Sequence, residues 1–306
     1  MANSSGLNRT GILSRVTVAA ITAALVGTTT SAVAADAPQE RTVSGVQQSA
    51  PQASTFAAST AAVTPVNALY GVTNTGVIWG YTPSGQGGLT RLTENSGTGW
   101  NYSKHINQAD QDADGRSDGL WDVTGGTLYY TKWSTTPRAL GAGWGIYNKL
   151  LSASNTGGAA ADDLLARDSA GVLWHYLGFG NGSLDRRVKI SAGWGIYNQL
   201  AGKGDLTSDG KADIVARDGA GVLWLYKGTG SYSAPFTSRT RISAGWNIYN
   251  SLVSVGDINY DGITDLIARD TTGALYLYKG TGNASAPLQG RVKIGTSGWN
   301  GFKQLF

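Results

Sequence analysis

The stretch Ser243–Gly282, SAGWNIYNSLVSVGDINYDGITDLIARDTTGALYLYKGTG, decides the fold, because the rest of the chain repeats it. It opens with a Gly-Trp anchor, Gly245-Trp246, with Tyr249 close behind. An acidic loop follows, from Asp257 to Asp265. Two short apolar runs close it, Leu266–Ala268 and Ala274–Tyr278, separated by a polar turn. Self-similarity at a fixed period sets the architecture before any single residue is read. The anchor recurs at Trp100, Trp144, Trp194, Trp246 and Trp299, 44 to 53 residues apart. The aromatic run recurs as GVIWGY at Gly76, GTLYYT at Gly126, GVLWHY at Gly171, GVLWLY at Gly221 and GALYLY at Gly273. The acidic position occurs four times, at Asp110, Asn155, Asp205 and Asp257.

The aromatic runs alternate. In Gly221–Tyr226, Val222, Trp224 and Tyr226 point one way and Leu223 and Leu225 the other, which is the period of a strand with two apolar faces. A strand apolar on both faces sits between two other sheets, and stacked propeller blades supply that setting; the unit length suits four short strands. The ends complement each other. Leu69–Gly76 aligns on Leu266–Gly273, so the first unit starts in mid-repeat, and the last stops just after its anchor, at Gly298–Phe306. The expected fold is an all-β, five-bladed β-propeller of four-stranded antiparallel blades over 68–306, its ring closed by the C-terminal strand. An open solenoid would want polar caps, and Phe302, Leu305 and Phe306 make a poor one.

Composition agrees. Charged residues are 14%, glycine numbers 44, and Trp and Tyr number 10 and 14, a turn-rich, aromatic-rich β composition. There is no cysteine, so stability rests on packing or bound metal. The net charge of +4 comes without a basic cluster and gives no case for a nucleic-acid partner. Residues 1–35 read as a secretion signal: Arg9 and Arg15, an apolar run from Val16 to Val26, then Ala32-Val33-Ala34. Residues 36–67, rich in Ala, Ser, Thr, Gln and Pro, read as a flexible linker or pro-segment. No second hydrophobic stretch follows, so the expected protein is secreted, without a membrane partner, and monomeric.

The acidic loops carry the clearest chemistry. Asp257, Asn259, Asp261 and Asp265 hold loop positions 1, 3, 5 and 9, with Gly262 at 6 and the carbonyl of Ile263 at 7. Alternate oxygen side chains converge on one centre in a tight loop, and all-oxygen donors select calcium. Asp110, Asp112, Asp114, Asp118 and the carbonyl of Arg116 form the fullest copy. Asp205, Thr207, Asp209, Asp213 and the carbonyl of Lys211 form a weaker one, since Thr207 replaces a carboxylate or amide. Asn155, Gly157, Ala159 and Asp163 form a blank one. Two strong calcium sites and one weaker are expected. The alternative is a set of Asp-Gly turns without metal.

GDINYDGITDLIARD and GDLTSDGKADIVARD resemble FG-GAP repeats, also called VCBS repeats, of the integrin-type calcium propeller. Family propellers usually have seven longer blades, and this chain counts five. Five short blades and GVTNTGVIWGY are similar instead to the tachylectin-type sugar-binding propeller.

No Gly-x-Ser-x-Gly elbow, zinc motif or phosphate loop appears, and an enzyme, such as a glycoside hydrolase or lyase, is the least favoured reading. His175 replaces Leu225 in the aligned strand and reads as a core histidine. Ala-Arg-Asp, at Arg167, Arg217 and Arg269, reads as an inter-blade ion pair. Exposed, the anchors Trp100, Trp144, Trp194, Trp246 and Trp299 would form sugar-stacking platforms, with Asn148, Asn198 and Asn250 as polar partners; buried, they would pack blade on blade. The expected function is carbohydrate or cell-surface glycan recognition through repeated sites, with a protein-interaction or adhesion scaffold as the alternative.

Overall fold

The computed structural model describes residues 63–95 and 98–306. The expected signal, 1–35, and residues 36–62 of the expected linker lie outside the described residues. Blade 1 contains β1 (Leu69–Thr73), β2 (Ile78–Pro83) and β3 (Leu89–Asn95). Blade 2 is β4 (Ser103–Ala109), β5 (Gly119–Thr124), β6 (Thr127–Lys132) and β7 (Arg138–Gly141). Blade 3 is β8 (Tyr147–Leu151), β9 (Leu164–Asp168), β10 (Leu173–Tyr176) and β11 (Val188–Ser191). Blade 4 is β12 (Tyr197–Ala201), β13 (Ile214–Asp218), β14 (Leu223–Tyr226) and β15 (Thr240–Ser243). Blade 5 is β16 (Tyr249–Val253), β17 (Leu266–Asp270), β18 (Leu275–Tyr278) and β19 (Val292–Gly295). The last strand, β20 (Phe302–Leu305), pairs with β1 and completes blade 1 in the order β20-β1-β2-β3. Five antiparallel sheets of four strands result, and β4, β8, β12, β16 and β20 surround a central cavity of about 100 Å³. The expected five-bladed ring closed by the C-terminal strand is the observed one.

The two repeated motifs meet across blade boundaries. Each anchor glycine is left-handed, with φ of 87°, 88°, 93°, 91° and 87° at Gly99, Gly143, Gly193, Gly245 and Gly298, a conformation that a Cβ disfavours. That turn starts a single 3-10 turn and aims the next amide backwards. The amides of Trp100, Trp144, Trp194, Trp246 and Trp299 donate to the carbonyls of Gly76, Gly126, Gly171, Gly221 and Gly273, each in the preceding blade. Four anchor rings are buried: Trp100 at 0%, Trp144 at 7%, Trp194 and Trp246 at 4% exposure.

The Ala-Arg-Asp arginines also join blades, but through carbonyls rather than the expected ion pair. Arg167 donates to Trp194 O and Tyr197 O, Arg217 to Trp246 O and Tyr249 O, and Arg269 to Trp299 O and Phe302 O. Burying a guanidinium among carbonyls satisfies its donors without a second buried charge. Their Nε atoms donate to the Oδ1 of Asn148, Asn198 and Asn250. In blades 1 and 2 valine stands in the arginine position, and Lys303 and Lys104 reach the next blade's carbonyls instead.

The aromatic strands differ from the two-sided burial their sequence suggests. Leu223 and Leu225 are buried at 0% and 1%, whereas Trp224 and Tyr226 are half-buried. Blades fan apart toward the rim, so only one face of the third strand is fully covered. The last residues of the expected linker are not loose. Val66 N donates to Gly115 O, Asp257 N to Pro65 O, Asn67 N to Val255 O, and Ser117 N to Asn67 Oδ1. Residues 63–67 therefore strap the first acidic loop to the last, beside the blade that has no acidic loop of its own. Among the described residues, no helix is long and apolar enough to cross a membrane.

Candidate functional site

The acidic loops connect the first and second strands of blades 2, 4 and 5. Position 1 shapes each loop. Asp110 accepts the amides of Ala113 and Gly115, both at 2.8 Å; Asp257 accepts those of Tyr260 and Gly262, both at 2.6 Å; Asp205 accepts those of Thr207 and Gly210 at 2.9 and 2.6 Å. Gly115, Gly210 and Gly262 at position 6 are left-handed, with φ of 82°, 81° and 86°. Ala160 holds that position in the blank loop and is not left-handed, so the ligand-forming turn is absent there.

Two observations test whether an oxygen-liganded cation fits. Carboxylate oxygens of Asp110, Asp112 and Asp118 lie within 4.8 Å of one another. Among the described residues this is the one loop that gathers three carboxylates so closely, and Asp114 is outside the group. In the last loop, Asn259 Oδ1 is buried without a hydrogen-bond partner, while its Nδ2 donates to Asp261 at 2.7 Å. Turning the amide over would set its oxygen against the Asp261 carboxylate, so the orphan oxygen needs a cation or donor inside the loop. The donor set therefore fits a hard divalent cation at these two loops.

Position 9 has a role that its acidic sequence conceals. Asp213 accepts Leu206 N and Gly228 N at 3.0 and 2.8 Å, and Asp265 accepts Ile258 N and Gly280 N at 2.9 and 2.8 Å. Each carboxylate ties its loop to the end of the third strand. Asp163 of the blank loop keeps that role, accepting Thr156 N and Gly178 N, both at 2.9 Å, with His175 Nε2 at 3.3 Å. His175 is buried at 0% exposure, Nδ1 facing Tyr232 O at 2.9 Å, a core histidine. Asp162, one residue earlier, pairs with the buried Lys203 ammonium at the ring's centre. Charges from the chain itself thus neutralise the loop that lacks ligands.

Burial, and then the Asp162 carboxylate, push the Asp110 carboxyl up to about 6. Burial does the same to Asp213 and Asp265, each to about 6, and raises Asp118. A carboxyl raised in the fold binds its proton more tightly than in the unfolded chain. Stability of the metal-free protein is therefore expected to fall as pH rises from about 4 to about 6, with a lower melting temperature at the upper end. A melting temperature that rises across that window would contradict the strained, uncompensated state of these carboxylates.

The expected sugar platforms are mostly not available. Trp100, Trp144, Trp194 and Trp246 are core residues, and the Oδ1 of Asn148, Asn198 and Asn250 is taken by arginine. Trp299 differs: it is half-buried. It lines an open groove of about 420 Å³ at the ring closure, with Trp79, Tyr81, Phe302, Arg91 and Thr73. Tyr81 and Trp299 have ring centroids 4.5 Å apart, Phe302 meets Tyr81 edge-on at 6.1 Å, and Arg91 lies 3.9 Å over the Trp79 ring. Blade 1 joins its third and fourth strands by the short Ser84–Gly88, where blade 4 uses Lys227–Arg239 and lays Phe236 of that loop against Trp194 and Tyr226; the shorter loop leaves the groove open.

Residues 205–268 match the model of the FG-GAP-like repeat family, a span holding the third and fourth acidic positions. No curated protein matches the chain by sequence. Similar solved structures include the BP39L lectin of Burkholderia pseudomallei, at 14% identity and TM-score 0.47, covering 78% of this chain and 71% of that one. An Agrocybe aegerita lectin described as recognising non-reducing terminal N-acetylglucosamine aligns at 16% identity and TM-score 0.43, covering 73% and 64%. A variant of AofleA from Arthrobotrys oligospora aligns at 12% identity and TM-score 0.42, covering 77% and 73%.

Proposed function

We propose that this chain is a secreted, calcium-stabilised binding propeller that recognises carbohydrate and catalyses no reaction. The observation that supports it is the groove of Trp79, Tyr81, Trp299 and Phe302 at the ring closure. Flat aromatic faces take the apolar C–H faces of sugar rings, and a groove of this size holds one or two such rings. The reading departs from five equivalent sites, because four anchors are buried. Calcium in this reading is held by Asp110, Asp112 and Asp118 and by Asp257, Asn259 and Asp261, with a weaker ion at Asp205, Thr207 and Asp209. It compensates the gathered carboxylates and fixes loops that the 63–67 strap joins. Exposed Tyr102, Ile196 and Ile248, at corresponding anchor turns, favour the second reading, a protein partner.

A glycan array run with calcium and again with chelator tests the proposal. Sugar binding is expected in calcium, weakened by chelator and abolished by Trp299→Ala. Calorimetric titration of the chelator-treated protein should give two tight ions and one weaker. A blank array with a retained protein ligand favours the second reading, and a calcium stoichiometry near zero or near four would overturn the loop assignment.

A further inference from the structure

We infer that the ring-closure groove selects an acidic saccharide, a sugar ring bearing a uronate carboxylate, and that Arg91 selects it; the inference rests on the carbohydrate reading above. Blades 3, 4 and 5 show what the same arginine does elsewhere. Arg187, Arg239 and Arg291 sit over Trp174, Trp224 and Tyr276 at 4.1, 4.1 and 4.7 Å. Each also donates to the hydroxyl of an inner-strand tyrosine, Tyr147, Tyr197 or Tyr249. That hydroxyl is paired in turn with Tyr176, Tyr226 or Tyr278, at 2.6, 2.7 and 2.6 Å. The guanidinium is held inward and its donors are partly spent.

Arg91 occupies the same place, opposite Tyr81 as Arg239 would lie opposite Tyr226, and keeps the stack on Trp79. The inner-strand residue of blade 1 is Phe302, which has no hydroxyl to accept its N–H groups. Among the described residues no acceptor takes them and no carboxylate lines the groove. Trp299 shows a parallel change. Ser191 and Ser243 accept the Nε1 of Trp194 and Trp246 at 2.9 and 2.8 Å, but Gly295 stands at the corresponding place before Trp299. Trp299 Nε1 is directed at Gly295, so Arg91 supplies the groove's one charged wall, and that wall is cationic. A uronate fits both features: its C–H face lies on Trp299 and Tyr81, and its planar carboxylate accepts the guanidinium fork in two parallel hydrogen bonds.

The test titrates the calcium-loaded protein with a trisaccharide ending in glucuronic acid and with its methyl ester, which keeps the shape and removes the charge. The acid is expected to bind roughly tenfold tighter or more, as a charge-assisted hydrogen bond implies. Arg91→Gln should erase that preference at an unchanged melting temperature. Phe302→Tyr, which supplies the hydroxyl present in blades 3 to 5, should weaken acid binding by engaging Arg91. Equal binding of acid and ester, or a preference that survives Arg91→Gln, overturns the inference and leaves carbohydrate binding standing. Binding of neutral glycans alone does the same, whereas failure of every saccharide sinks both.

Discussion

Removal of Gly298–Phe306 is expected to abolish cooperative folding, the largest effect any short deletion here should have. Tyr70 and Phe306 exchange both backbone hydrogen bonds, at 2.8 and 3.0 Å, and Gly71, Val72 and Thr73 pair with Leu305, Gln304 and Phe302. Leu305 and Phe306 are buried at 8% and 7% exposure, and Phe306 stacks on Tyr70 with centroids 5.6 Å apart. Trp299 and Phe302 pack against the cluster of Leu69, Val255, Ile258 and Leu277 that joins blade 5 to blade 1. Truncation would expose the β1 edge and that cluster together, a combination that favours aggregation. The milder Phe306→Ala should cost about 3–5 kcal/mol through lost burial and the cavity left behind. Calorimetry and size-exclusion chromatography decide: a truncated chain that remains monomeric at the parental melting temperature would show that the ring is not closed here.

Lys203→Met is expected to be the most damaging single polar substitution. Lys203 and Asp162 are 3% and 4% exposed, and the ammonium also meets Gln108 O and Ser152 Oγ. Asp162 further accepts Asp110 N at 2.8 Å. Removing the ammonium leaves a carboxylate uncompensated at the ring's centre, a loss of about 3–5 kcal/mol. Asp162→Asn should also destabilise, and the double variant should be less damaged than the two losses added, since neither charge then lacks its partner. Chemical denaturation of the four proteins gives the coupling directly. Wild-type stability for Lys203→Met, or strict additivity, would mean that the pair contributes nothing. Because Asp162 touches the amide of the first acidic loop, the substitution should also weaken whatever cation that loop holds.

The acidic loops were legible residue by residue in their spacing, yet their division of labour was not. Asp257, Asp261 and Asp265 look alike in sequence. Only the amides that each accepts separate a loop-shaping carboxylate from one that ties the loop to its third strand. Asp163 illustrates the difference: spacing presents it as a remnant ligand, whereas the fold keeps it for Thr156, Gly178 and His175. Lys203 gave no signal in the sequence, because its partner Asp162 lies in another blade. The Arg187, Arg239 and Arg291 positions could have been found, since each follows its strand aromatic at a similar interval. Their absence of a tyrosine partner at Arg91 was visible as Phe302 in the anchor alignment, once the arginine position was known to matter.

By itself the sequence determined the repeat, the strand character of the aromatic runs, the number of blades and the place of closure. These follow from periodicity, and periodicity is a local property that each unit carries in its own residues. Tertiary structure decided which tryptophans are core and which one lines a groove, because Trp246 and Trp299 have nearly the same neighbours in sequence. What separates them is the loop between the third and fourth strands, long in blade 5 and short in blade 1, and two side chains beside the ring, Ser243 against Gly295 and Tyr249 against Phe302. Exposure is set by what the loop of the same blade and the strands of the preceding blade place over a ring, and those contacts exist only once the blades have packed.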